Sequence, residues 1–141
     1  MPKIKRMAIL SANARRAFKV VDQVEGYPDF LPGCNSVKIL ESTADYSMVK
    51  VDVTWAGITE SFVTKNWPTE YDNILMELVE GPFRYLVGKW TFAPLGDDGC
   101  RVAIELAYEF DGLANLASPF MKKSTDQIVK AFEREIERGQ M

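Results

Sequence analysis

The sequence predicts an α+β domain in which a strongly curved, mostly antiparallel sheet wraps around one long C-terminal helix. Three observations carry this. Several segments alternate strictly between apolar and polar residues, the period of a half-buried strand. Most are joined by connections too short for the crossovers that parallel strands need. The chain then closes on a long stretch whose apolar residues recur at helical spacing.

In chain order, Lys3 to Leu10 reads as a first strand. Ser11 stands where an N-cap belongs, and Ala14, Phe18 and Val21 recur at helical spacing through about Val24. Gly26-Tyr27-Pro28-Asp29-Phe30-Leu31-Pro32-Gly33-Cys34 follows. Its two prolines forbid a long regular element, so its large apolar side chains belong to a short connector aimed at a core or a cavity. Ser36 to Ser42 is a second strand. Val49, Val51, Val53 and Trp55 form one face of a third, against Met48, Lys50, Asp52 and Thr54. Ile58 to Trp67, Ile74 to Val79 and Phe83 to Phe92 are further strands, parted by Gly57, by Pro68 to Asn73 and by Gly81-Pro82. Gly96-Asp97-Asp98-Gly99 marks a hairpin turn. Beyond it Val102, Ile104, Leu106, Tyr108 and Phe110 alternate with a solvated face, which brings the count to seven strands. Gly112 to Ala117 forms a separate turn. Ser118-Pro119 then opens the final helix, whose stripe includes Phe120, Met121, Ser124, Ile128, Ala131, Phe132 and Ile136. The economical packing is a helix-grip, with two short helices after the first strand. Its sheet–helix interface makes a cavity wherever it is incompletely filled, and the connector and the break at Pro119 are natural rims for a mouth.

The chain has 141 residues, 47% of them hydrophobic, which suits one domain spanning 1–141. No run of about 18 apolar residues is present, and Met1-Pro2-Lys3-Ile4-Lys5-Arg6 lacks the apolar core of a signal peptide. The expected location is cytoplasmic, or peripheral to the inner membrane. Cys34 and Cys100 are too few for a disulfide scaffold and are expected to be buried free thiols. A net charge of −3 supplies no global basic field for nucleic acid, and no DNA partner is expected. Histidine is absent. That excludes histidine-based triads, histidine-ligated zinc and an imidazole base, so no metal site is expected.

Tyr27-Pro28-x-Phe30-Leu31-Pro32-Gly33-Cys34, Ile39-Leu40-Glu41-Ser42-Thr43, Val51-Asp52-Val53, Ala56-Gly57-Ile58 and Gly81-Pro82-Phe83 together carry a resemblance. It continues through Gly88-x-Trp90-x-Phe92-x-Pro94-Leu95, Cys100-Arg101 and Glu109-Phe110. The chain resembles the START-like coenzyme Q-binding family over nearly its whole length, and within it the bacterial ribosome association toxin (RatA) branch, often labelled polyketide or oligoketide cyclase. The resemblance implies a START/Bet v 1-like helix-grip that holds ubiquinone or a similar polyprenyl lipid and supports respiration. It also implies, from one member of the branch, binding to the large ribosomal subunit that blocks subunit joining.

Two sets of candidate residues follow. Tyr27, Phe30 and Leu31 border the cavity mouth as a lid. Val51, Val53, Trp55, Trp90, Phe92, Leu106 and Tyr108 line inward strand faces, where Trp N–H and Tyr O–H groups can donate to quinone carbonyls. Phe120, Met121, Ser124 and Ile128 face the same space from the helix. Packing is the default role of such residues. Burying isoprenoid carbon is worth about 0.8 kcal/mol per CH₂, so a few units suffice for affinity, with the headgroup inside and the tail leaving through the mouth. The second set is basic: Lys3, Lys5, Arg15, Arg16 and Lys19 precede any acidic residue and suit ribosomal RNA or an anionic membrane surface contacted transiently. The leading expectation is therefore a non-enzymatic ubiquinone binder that needs no resident cofactor. The alternative is a protein that docks on the large ribosomal subunit. A cyclase-type enzyme is a third reading, for which Asp52, Glu60, Lys65 and Glu77 are candidates by strand location alone; by alternation Asp52 and Lys65 face away from the Val51/Val53 side or lie near its rim, and no catalytic residue is assigned.

Overall fold

The computed structural model describes residues 3–55, 57–81, 83–110 and 118–138, with backbone alone at Trp55, Ile58, Phe110 and residues 118–122. The expected turn from Gly112 to Ala117 lies outside the described residues. Strand β1 (Lys3–Leu10) is followed by helix α1 (Ala14–Asp22) and a 3₁₀ helix (Val24–Asp29). Strands β2 (Cys34–Ser42), β3 (Ser47–Trp55), β4 (Ile58–Thr69), β5 (Asn73–Glu80), β6 (Phe83–Pro94) and β7 (Cys100–Phe110) come next, and helix α2 (Ser118–Arg138) closes the chain. All neighbouring strands are antiparallel, in one seven-stranded sheet of order β1-β7-β6-β5-β4-β3-β2.

The period-2 alternation fixes which side chains face α2. Register aligns Ile4, Leu106, Gly88, Met76, Asn66 and Ser47 in one inward row across the sheet. Arg6, Ile104, Trp90, Ile74 and Pro68 form the next. Gly88 sits in the middle of the first row, where an added Cβ would stand 2.8 Å from Leu106 Cδ2 and 2.9 Å from Met76 Cε. Its missing side chain leaves the concave face room for both neighbours. Over β1, β6 and β7 the interface is packed solid. Phe132 and Ile136 of α2 are buried, as are Phe18 and Val21 of α1, against Trp90, Phe92, Val102 and Ile104.

Local structure corrects the sequence reading in three places. The cap of α1 is Asn13, whose Oδ1 accepts the Arg16 N–H at 2.8 Å, and not Ser11. Ser11 is committed elsewhere, donating its N–H to the Glu137 carboxylate at 2.9 Å. The helical periodicity running to Val24 spans two elements: α1 ends at Asp22, and the buried Val24 begins the 3₁₀ helix, which tolerates Pro28. Pro68 does not end β4, which runs on to Thr69 with Pro68 opposite Ile74. The turn sits one step later, at Tyr71, whose φ of 61° places a non-glycine residue in the left-handed region. Edge contact with Phe18 and the Arg15 guanidinium 4.9 Å above its ring hold Tyr71 there.

Candidate functional site

Phe132 organises one end of the interface. Its ring meets Tyr27, Phe30 and Trp90 edge-on, with centroids 5.2, 5.3 and 4.9 Å away. The Tyr27 hydroxyl donates to the Val21 carbonyl at the end of α1, and burial pushes its pKa far up, so it acts as a neutral donor. The structure thus brings Tyr27, Phe30, Leu31, Trp90 and Phe92 together as a plug packed on α2. Leu106 and Tyr108 are buried further along β7. Beneath the C-terminal half of α2 the remaining void is about 10 Å³, too small for any organic ligand.

Elsewhere the interface is less filled. Val51 and Val53 on β3 are only partly buried, as are Met76 and Leu78 on β5, and Ile128 on α2, while Ser124 is buried. The side chains of Trp55, Phe120 and Met121 lie outside the described residues.

A cavity of about 270 Å³ opens between the α1–3₁₀ junction and the inward faces of β2, β3 and β4. Its wall is aliphatic, from Val24, Ile39 and Pro68, and its rim is polar, from Asp22, Gln23, Glu25, Ser47 and Asn66. Asn66 is oriented by a buried neighbour: the Thr64 hydroxyl donates to Asn66 Oδ1 at 3.1 Å, which leaves the amide N–H groups as the outward function. Burial, reinforced by the charge of Glu70, raises the pKa of Asp22. None of these eight lining residues was among the sequence candidates. The available signal was Asn66, a polar residue interrupting the inward series Phe62, Thr64, Pro68.

The acids and bases offered for catalysis are placed away from this space. Asp52 faces the convex side, where Ser61 and Ser36 donate to its carboxylate at 2.5 and 2.8 Å and hold its pKa below the usual range. Lys65 lies on the same side, 4.2 Å from the Tyr46 ring centre and 5.3 Å from that of Trp67. Glu77 pairs with Lys65 in register, and Glu60 stands on the inward row of β4 but at its exposed hairpin end. Cys100 is fully buried, whereas Cys34 is half-buried rather than buried. Burial raises both thiol pKa values, so neither is a ready nucleophile.

The basic residues do not form one patch. Lys3 and Lys5 project from the convex face of β1, while Arg15 and Lys19 are exposed on α1, which packs on the concave side. Arg16 is withdrawn: its guanidinium donates to the Glu135 and Ile136 carbonyls at 3.0 and 3.4 Å, satisfying the C-terminal turn of α2. Arg6, on the concave face, is paired with Asp126 of α2.

A curved antiparallel sheet closed on a C-terminal helix, with two short helices after the first strand and an opening beside them, defines a START/Bet v 1-like helix-grip domain. Solved structures agree on the fold: the Zhui aromatase/cyclase from Streptomyces sp. R1128 superposes with a TM-score of 0.88 at 17% identity, over 97% of this chain and 94% of that one. The chain belongs to the family described as polyketide cyclase / dehydrase and lipid transport, whose profile matches residues 10–133. Ribosome association toxin RatA of Escherichia coli K12 is 42% identical over 134 residues, 94% of this chain and 85% of that protein. The mitochondrial coenzyme Q-binding protein COQ10 homolog B of Xenopus laevis is 25% identical over 92% of this chain and 56% of its own. Among the described residues, no helix is long and apolar enough to cross a membrane.

Proposed function

We propose that the protein binds ubiquinone or a similar polyprenyl lipid against the concave face of its sheet, without turning it over, in support of respiratory electron transport. The carrying observation is the cavity of about 270 Å³ with an aliphatic wall and a polar rim opening onto that face. This volume lies just below the roughly 300–1,000 Å³ of typical ligand pockets, so it suits a ring-sized headgroup with little of a tail. A relative named for coenzyme Q binding supports the same chemistry. The positions of Asp52, Lys65 and Glu77 on the convex face support binding without catalysis. Titration with a short-chain ubiquinone analogue, followed by tryptophan fluorescence, should saturate at one equivalent. Ile39→Glu, which charges the aliphatic wall, should weaken binding at least tenfold. Absence of saturable binding by the native chain would refute the proposal.

A second reading is favoured by the relatives named for ribosome association. In it, Arg15 and Lys19 on α1 contact RNA of the large subunit and impede joining of the small one. Exposed phosphate contacts of this kind are salt-sensitive. Sedimentation with purified large subunits should therefore fall with rising salt and fall further in Arg15→Glu/Lys19→Glu. Sedimentation unchanged by both would exclude this surface.

A further inference from the structure

The two ends of the inward row differ in chemistry. Ser47 and Asn66 are polar, whereas Met76, Gly88 and Leu106 offer no hydrogen bond. The polar end coincides with the cavity rim, where Asp22 and Glu25 also stand. A polar headgroup therefore finds its hydrogen-bonding partners at the cavity and not deeper in the row, where the interface over Gly88 and Leu106 is filled.

The rim also discriminates among headgroups. The carboxyl oxygens of Asp22 and Glu25 accept hydrogen bonds, Ser47 donates and accepts, and Asn66, whose oxygen already accepts from Thr64, presents its N–H pair. A quinone carbonyl only accepts. Seated here, it would satisfy Asn66 but press a ring against carboxylates with nothing to offer them, which costs desolvation. A phenolic hydroxyl accepts from Asn66 or Ser47 and donates to a carboxylate, and hydrogen bonds to charged acceptors are the stronger kind.

Resting on the lipid-binding reading, we propose that the cavity beside Asp22, Ser47 and Asn66 is a headgroup subsite that selects a hydroquinone over the corresponding quinone. Asp22 is the selecting residue and Asn66 the general anchor for both forms. The preference belongs to binding alone; no electron or proton is transferred by the protein.

The test is an anaerobic titration of the full chain with three probes: a short-chain ubiquinone analogue, its chemically reduced quinol, and the dimethyl ether of that quinol, which has the reduced ring without the donors. The quinol should bind about tenfold more tightly than either other probe, the span of one charge-assisted hydrogen bond. Asp22→Asn should bring all three within about twofold of one another. Asn66→Leu should weaken quinone and quinol together and keep their ratio. Equal affinities in the native chain, or a preference that survives Asp22→Asn, would overturn the selection while leaving lipid binding intact. Failure of all three probes to bind would instead overturn the lipid-binding reading, and this inference with it.

Discussion

Replacing Phe132 with alanine would remove the ring on which the 3₁₀ segment, the sheet and α2 meet. Phe132 is 4% exposed and touches Tyr27, Phe30 and Trp90 with centroids 4.9 to 5.3 Å away. Burying a phenylalanine is worth about 1.5–3 kcal/mol, and the cavity left by truncation raises the loss to about 3–5 kcal/mol. Edge-to-face pairs contribute about 0.5–1.5 kcal/mol each beyond area, but these three share one ring and do not add independently. The expected loss is therefore about 4 kcal/mol, a large share of the roughly 5–15 kcal/mol of a typical domain. Urea unfolding measures it through the midpoint at constant m-value. Hydrogen exchange should show the Phe30 and Leu31 amides, which donate to the Tyr27 carbonyl, losing protection before β6 and β7 do. Phe132→Leu should recover more than half of the loss. A Phe132→Ala cost below about 1 kcal/mol, with unchanged protection at Phe30 and Leu31, would refute the view that this ring pins the connector.

Other consequences concern pH and packing. The Arg6 hydrogen bond holds the Asp126 pKa below its ordinary 3.8, so the pair's contribution is present above that pH and is lost as pH falls through the folded value. Asp126→Asn should accordingly show a shallower acid limb in a stability-against-pH series. Asp22 has the opposite sign: its pKa is raised above 3.8 by burial and by Glu70, so its ionised form opposes folding at neutral pH. Asp22→Asn should raise the unfolding midpoint at pH 7, with the gap closing below pH 3.8. Gly88→Ala must push aside the ends of two flexible side chains, Leu106 and Met76, and should cost about 1–3 kcal/mol by urea unfolding while the fold survives.

The strand faces were legible because period-2 alternation survives in β3, β6 and β7, and the amphipathic stripe of α2 is long enough to identify. Boundaries were less legible. Ser11 and Asn13 are both good caps, and only the tertiary bond from Ser11 to Glu137 decides between them. Pro68 reads as a breaker by composition, yet β4 carries it into register opposite Ile74. The candidate site was the least legible. Aromatic residues mark the packed end of the interface, where Phe132 is the hub, whereas the open end is lined by Asp22, Gln23 and Glu25, which in sequence look like an ordinary solvated helix end. Arg16 was misread for a related reason: adjacent arginines look equivalent until the carbonyls of α2 claim one of them.

Organic extraction and mass spectrometry of the protein purified from its native cells reads out lipid binding directly, alongside the Ile39→Glu variant that charges the cavity wall. A polyprenyl quinone or quinol near one equivalent is expected in the native chain, and its loss in the variant. A native chain that extracts empty and also fails to take up added quinone or quinol would contradict lipid binding and leave the proposed ribosome contact through α1 as the function to pursue.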